Sequence, residues 1–140
     1  MVKALALYSG GLDSILAILV MRQQNVPITA VTFVTGFGCY QTEHIRSMAC
    51  MTAKNFGFEL ITCDITAKFL DIVRLPKFGY GKNMNPCLDC KILMLREAKK
   101  LMQQVGANFI VTGEVLSQRP MSQRRDTFPI LDRESGLAGF

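Results

Sequence analysis

The sequence predicts an α/β domain with a parallel sheet, and three observations carry that prediction. Short apolar, β-branched runs alternate with segments whose apolar residues recur at helical spacing. Loops bearing glycine follow the first two runs, and a Gly-Glu step follows the last. The chain has 140 residues, 49% of them apolar, which suits one domain with a substantial core. Strands alternating with helices join in parallel through right-handed crossovers.

Val2–Tyr8 is an apolar run ended by two glycines and reads as a buried strand. Leu12, Ile15, Leu16, Leu19 and Val20 then mark a helix, which Asn25 and Pro27 stop. Ile28–Val34 is a β-branched second strand. Gly36, Gly38 and Cys39 form a loop, and Ile45, Met48, Ala49, Thr52 and Phe56 line one face of the next helix, closed by Gly57. Phe58–Cys63 is a third strand and Thr66–Val73 a short helix. Leu75 to Asn85 reads as a long loop of the kind that carries function. Asn85-Pro86 predicts a helix start, Asn capping and Pro at the first helical position. Leu88, Ile92, Leu95, Met102 and Val105 give that helix its stripe, and Gly106 ends it. Asn108–Thr112 is the fourth strand; beyond it, 113–140 reads as a polar, basic tail with a turn at Asp132–Gly136 and no clear terminal element.

Composition excludes several classes. The apolar content argues against disorder, and five cysteines are too sparse and odd in number for a disulfide scaffold. No apolar stretch approaches the ~20 residues that span a bilayer, so no membrane partner is expected. Ser9-Gly10-Gly11 and Asp13 interrupt any signal-peptide core, which predicts a cytoplasmic chain with reduced cysteines. The net charge is +5, unevenly spread: residues 1–70 carry five basic and four acidic side chains, residues 71–140 eleven and seven. That asymmetry fits a solvated basic surface or a patch for a polyanion such as RNA.

In a parallel sheet, ligands gather beyond the carboxyl ends of the strands. The loops at 9–11, 35–41 and 113–114 fall there, making Thr35, Thr112 and Gly113 candidates for nucleotide contact. Ser9-Gly10-Gly11-Leu12-Asp13-Ser14 joins the first strand to the first helix. Two glycines admit close backbone approach, the helix N-terminus offers free N–H groups, and Ser9 and Ser14 add hydroxyls. That set suits a phosphate or pyrophosphate, with Asp13 acting through Mg²⁺ or capping a nearby N–H. The pattern is neither a Walker A loop nor the G-x-G-x-x-G fingerprint.

These six residues, opening on an apolar strand, resemble the SGGxDS loop of the PP-loop ATPases. The resemblance implies a Rossmann-like three-layer parallel sheet of the adenine nucleotide alpha hydrolase type. It also implies an activity that splits ATP to AMP and pyrophosphate while adenylating an acceptor, with Ser9, Gly10, Gly11, Asp13 and Ser14 binding the nucleotide.

Asn85-Pro86-Cys87-Leu88-Asp89-Cys90-Lys91 places two cysteines three apart at a helix start. The helix dipole, Lys91 and Lys82 predict a lowered thiol pKa. Such a pair can be a nucleophile that relays sulfur, a redox couple, or two ligands of a metal or iron–sulfur cluster. A thioredoxin-like role is disfavoured by the phosphate loop, and a zinc site lacks a second C-x-x-C; His44 is the lone histidine. Asn85, Pro86, Cys90 and Lys91 resemble the Asn-Pro-x-x-x-Cys segment of the tRNA-thiolating branch of PP-loop enzymes. That resemblance makes Cys90 the sulfur-handling residue, while Cys87 is similar to the branch that holds a [4Fe–4S] cluster. Cluster-holding members use three cysteine ligands, and Cys39 is the remaining candidate the topology places near the site. Cys50 and Cys63 read as packing residues. Thr112-Gly113-Glu114 resembles the family's Thr-Gly-His segment, with Glu114 departing from it, and Arg119-Pro120-Met121-Ser122-Gln123 its following loop.

The resemblance implies an ATP-dependent tRNA sulfurtransferase acting on uridine, with Cys90, Cys87 and Asp13 in catalysis. ATP, Mg²⁺ and a [4Fe–4S] cluster are its implied cofactors, and tRNA and a sulfur donor protein or inorganic sulfide its partners. Lys77, Lys82, Arg119, Arg124 and Arg125 are candidate phosphate contacts. Two alternatives stand beside it: a PP-loop enzyme acting on a small molecule, and a non-catalytic nucleotide- or metal-binding module. Family members are longer and carry a further cysteine beyond this region, whereas no Cys follows Cys90. Residues 1–140 are therefore expected to be one PP-loop domain cut from a longer chain, with the third cysteine and an RNA-binding portion outside it.

Overall fold

A computed structural model describes residues 1–37, 43–119 and 121–138, with the side chains of all but 43–47. Its central strand, β1 (Ala4–Leu7), is buried along its whole length. Short side chains at Ala4 and Ala6 and leucines at 5 and 7 fill the two faces of the sheet alternately. β1 runs through the loop at residues 8–11 into α1 (Leu12–Gln23), followed by β2 (Ile28–Val34) and α2 (Glu43–Phe56). β3 (Glu59–Asp64), α3 (Thr66–Arg74), α4 (Cys87–Gln104), β4 (Phe109–Val111) and α5 (Phe128–Ser135) complete the order.

The described strands form one parallel sheet in the order β3-β2-β1-β4. Ala4 pairs with Ile28 on one side and with Phe109 on the other. The chain thus leaves β1 toward β2 and later returns to β1's opposite edge as β4. That reversal opens a crevice at the carboxyl ends of β1 and β4, where ligands of such sheets bind.

Each face of the sheet carries its own core. Leu5, Leu7 and Val31 pack with Ile92, Leu95, Ala98 and Met102 of α4 and with Leu131 of α5. Ala6, Tyr8 and Ala30 pack on the other face with Ile18 of α1, Ala53 of α2 and Phe58. Helices on both faces make the three layers that the sequence predicts. No described helix is long and apolar enough to cross a membrane.

Three local expectations need correction. The stretch after β4 is not wholly an irregular tail: α5 forms there, with Pro129 in its first turn and Gly136 left-handed at its end, and its Leu131 enters the core. In α2, Ala53 is buried whereas Met48 and Phe56 are exposed. The buried stripe of α2 is therefore the small-residue one, because a large side chain would hold the helix off the sheet. Asn85 does not cap α4, since Pro86 occupies the capping position and no side chain bonds there. It is the Asn85 carbonyl that accepts, taking the amides of Cys87 and Gly81, each at 2.9 Å.

Candidate nucleotide and thiol site

The loop after β1 is built by its own hydroxyls. Ser14 Oγ donates to the Gly11 carbonyl at 2.7 Å, Ser9 Oγ donates to Ser14 Oγ at 3.3 Å, and the Gly11 amide donates to Ser9 Oγ at 3.3 Å. Gly10 sits at φ +82°, a left-handed turn that a side chain would strain. Gly11 precedes the helix with no side-chain cap, so the first amides of α1 keep their donors free for an anion. Asp13 stands in that first turn and makes no hydrogen bond or ion pair among the described residues. Ser9, Gly10, Gly11, Asp13 and Ser14 are thus one compact N-terminal cradle. Thr35 lies just past β2, with its hydroxyl donating to the Phe37 carbonyl at 3.3 Å.

The segment after β4 closes against this cradle. A Cβ on Gly113 would lie 2.6 Å from the Ser14 nitrogen and 2.7 Å from the Asp13 carbonyl carbon. Only a glycine lets the two backbones approach so closely. Thr112, the residue before it, follows the Ala6–Val111 pair at the end of β4.

Glu114, the next residue, reaches the other half of the site. One carboxylate oxygen pairs with Lys91 Nζ, and the other accepts Gln123 Nε2 at 2.5 Å. Both members of the Glu114–Lys91 pair are largely buried. Gln123 is buried as well, its backbone carbonyl accepts the Ser117 amide at 2.7 Å, and its Oε1 has no partner among the described residues. Lys91 follows Cys90 on α4, so residues 113 and 114 touch the Ser9–Ser14 cradle and the cysteine helix in turn.

Cys87 and Cys90 are both half-buried free thiols in the first turn of α4. The expected depression of the thiol pKa is overturned for Cys90, which is pushed up to about 11 by burial and then by Cys87, with Lys91 opposing. Lys91 spends its charge on Glu114, and desolvation exceeds the pull of a helix end. Cys50 is exposed and Cys63 half-buried, so of the two expected packing residues only Cys63 touches the core.

Asp89, between the two cysteines, has a loop-fastening role that spacing alone did not reveal. Its carboxylate accepts the amides of Lys77 at 3.1 Å and Phe78 at 3.0 Å, fastening the loop before α4 to its first turn. The signal was present in the C-x-D-C run, because an aspartate at a helix start seeks N–H donors. Gly81 packs against Met121, joining this loop to the segment after Gly113. Asn83 and Met84 follow in left-handed conformations at φ +57° and +56°.

The candidate phosphate contacts divide. Lys77 is paired with Glu134 at 2.7 Å and Arg124 with Asp126 at 3.0 Å, whereas Lys82, Arg119 and Arg125 are exposed without an ion pair among the described residues. Cys39 and Pro120, and the side chain of His44, lie outside the described residues. Among those described, no three His, Cys, Asp or Glu side chains are grouped as metal ligands. Cys87 and Cys90 therefore offer two thiol ligands, and a cluster finds no third there.

Comparison with known proteins places this geometry. The family model for thiamine biosynthesis protein (ThiI) matches residues 1–133. A probable tRNA sulfurtransferase of Methanosarcina acetivorans is 34% identical over 116 residues, covering 80% of this chain and 27% of that protein. One from Thermococcus kodakarensis is 28% identical over 138 residues, covering 96% and 35%. The chain thus spans about a third or less of the curated relatives it matches. Among solved structures, a 4-thiouridine synthetase–RNA complex with bound ATP superposes with a TM-score of 0.73 at 25% identity, over 94% of this chain and 34% of that one. The U34-tRNA thiolase NcsA from Methanococcus maripaludis with its [4Fe–4S] cluster shares the fold, with a TM-score of 0.60 at 22% identity, over 81% and 38%.

Proposed function

This chain belongs to the ThiI family, and from that premise we propose that it is the ATP-using domain of a tRNA sulfurtransferase that replaces a uridine carbonyl oxygen with sulfur. The observation that carries the reading is the contact pair at 113–114. Gly113 abuts Ser14 and Glu114 grips Lys91, so a nucleotide on the cradle and the thiol of Cys90 serve one site. The names of the relatives and the RNA and ATP of the structural neighbour support it.

The triphosphate of ATP lies on the amides of Gly10 and Gly11 and the first turn of α1, with Ser9 and Ser14 hydroxyls beside it. The free carboxylate of Asp13 fits a Mg²⁺, which would offset phosphate charge there. The uridine oxygen attacks the α-phosphorus, the bond to the β-phosphate oxygen breaks, and pyrophosphate leaves. The carbonyl oxygen is now part of an adenylate leaving group. A cysteine persulfide on a donor protein passes its outer sulfur to Cys90, the donor's S–S bond breaking and the donor leaving as a thiol. The Cys90 persulfide then attacks the activated carbon, and AMP departs with that oxygen. Cys87, one turn away, then attacks Cys90 Sγ, breaking the S–S bond and releasing the thiouridine. A Cys87–Cys90 disulfide remains for an external thiol to reduce.

Separation of AMP from ADP after incubation with labelled ATP, Mg²⁺ and bulk tRNA tests the reading. AMP and pyrophosphate are expected to rise with tRNA. Ser14→Ala weakens that turnover, whereas Cys90→Ala keeps adenylation and abolishes thiolation. AMP formed equally without tRNA would mark a small-molecule acceptor, and ATP binding without turnover a binding module.

A further inference from the structure

Two clefts follow the solvent side of α4. A groove of about 450 Å³ lies between α3, α4 and α5, lined by Lys68, Arg96, Glu97, Lys99 and Lys100 among others. A second, of about 210 Å³, is lined by Lys77, Phe78, Asp89 and Glu134. Both include Leu93 and Arg96, so the two clefts adjoin along α4 and are taken together as one trough. It runs from Asp89 to Gln103, about 21 Å at ~1.5 Å per helical residue, and its upper end is the residue before Cys90.

The charge in this trough is layered. Glu97 and Glu134 are recessed, with side chains 12% and 15% exposed, while Lys68, Lys77, Arg96 and Lys100 are 54 to 64% exposed. Glu97 takes Lys68 at 2.8 Å and Lys100 at 2.9 Å. Glu134 takes Lys77 at 2.7 Å, Arg133 at 3.6 Å and Arg96 at 3.8 Å. Lys99 donates to the Gly136 carbonyl. Two floor carboxylates thus pair with five basic side chains around the rim. The lysines beside Glu97 and Lys77 beside Glu134 hold both carboxyls below the usual range, so the arrangement stays charged. Preset rim cations lose less rotamer freedom when they meet a ligand.

We propose that this trough is a phosphate-backbone track for the substrate RNA, leading the strand to or from the cysteine end of α4. This deepens the reading above and rests on it. A polyanion suits the trough because Lys68, Lys77, Arg96, Lys99 and Lys100 line it, while Ile72, Leu75, Phe78 and Ile92 line only the smaller cleft.

The test measures bulk tRNA binding to the 140-residue chain by fluorescence anisotropy between roughly 50 and 200 mM salt. In the Lys68→Gln, Arg96→Gln, Lys100→Gln triple variant the slope of log affinity against log salt is expected to shrink by about 2, with affinity down at least about tenfold at low salt. Binding of an ATP analogue stays as in the wild type and reports folding, and Lys68→Arg with Lys100→Arg keeps RNA affinity. A folded triple variant with unchanged affinity and slope overturns the track. So does a triple variant that keeps RNA but loses a sulfur donor protein. If the wild-type chain shows tRNA-dependent AMP formation in either case, the proposed activity survives the loss. A wild-type chain that neither binds tRNA nor makes AMP with it sinks both.

Discussion

Gly113 meets the Ser14 amide backbone so closely that a β-carbon would sit 2.6 Å from the Ser14 nitrogen. The obstruction is helix backbone at the mouth of the nucleotide cradle, which moves only if α1 moves. Gly113→Ala is expected to cost about 1–3 kcal/mol of stability and to lower ATP affinity at least tenfold. Gly81→Ala meets the tip of the Met121 side chain, which swings aside more readily, so its effect on ATP should be small. Thermal melts and titration with a fluorescent ATP analogue separate the two.

The ion pair of Glu114 and Lys91 is largely buried, so removing one partner leaves the other charge without compensation. Glu114→Leu alone is expected to cost roughly 2–4 kcal/mol. The Glu114→Leu, Lys91→Met double variant should cost less than the two single changes summed. A double-mutant cycle in urea reads that coupling directly.

The Cys90 thiol is held up to about 11 by burial, against an ordinary value of 9.0. Between those values the folded protein binds more protons than the unfolded chain, so stability falls as pH rises through that window. The contribution is complete below pH 9 and gone above about 11. Melting temperature should decline across the window in the wild type and less steeply in Cys90→Ala. Alkylation of Cys90 at fixed reagent should accelerate over the same range.

Asp89→Ala removes two acceptors from the Lys77 and Phe78 amides. The expected cost is about 2–3 kcal/mol, concentrated in the loop before α4. Limited trypsin digestion should cut earliest at Lys77 and Lys82 in this variant, with α4 still intact.

Much of this fold was legible in the chain. Ile28–Val34 needed no revision as a strand because β-branched residues flanked by Pro27 and Gly36 leave little choice. The turn at Ser9–Ser14 was legible for a related reason, since Gly-Gly between an apolar run and a helix has few backbone solutions. α5 was hidden because its surface is polar and few of its residues reach the core, although Pro129 and Gly136 marked its ends. The state of Cys90 was hidden by a different cause. Three-residue spacing gives the helix end but not the burial, and burial decided the pKa. The Glu114–Lys91 contact joins positions 23 apart, which no local pattern reports.

β1 is hydrogen-bonded on both sides, lies between two cores and runs directly into the cradle. A nucleotide bound on the cradle as proposed would therefore be coupled to the doubly paired strand between the two cores rather than to a peripheral flap. By linkage, a ligand that holds only the native state slows every opening that exposes β1. In hydrogen exchange, the amides of Leu5 to Tyr8 should be among the slowest, and ATP should slow them further while leaving β3 at the sheet edge nearly unchanged.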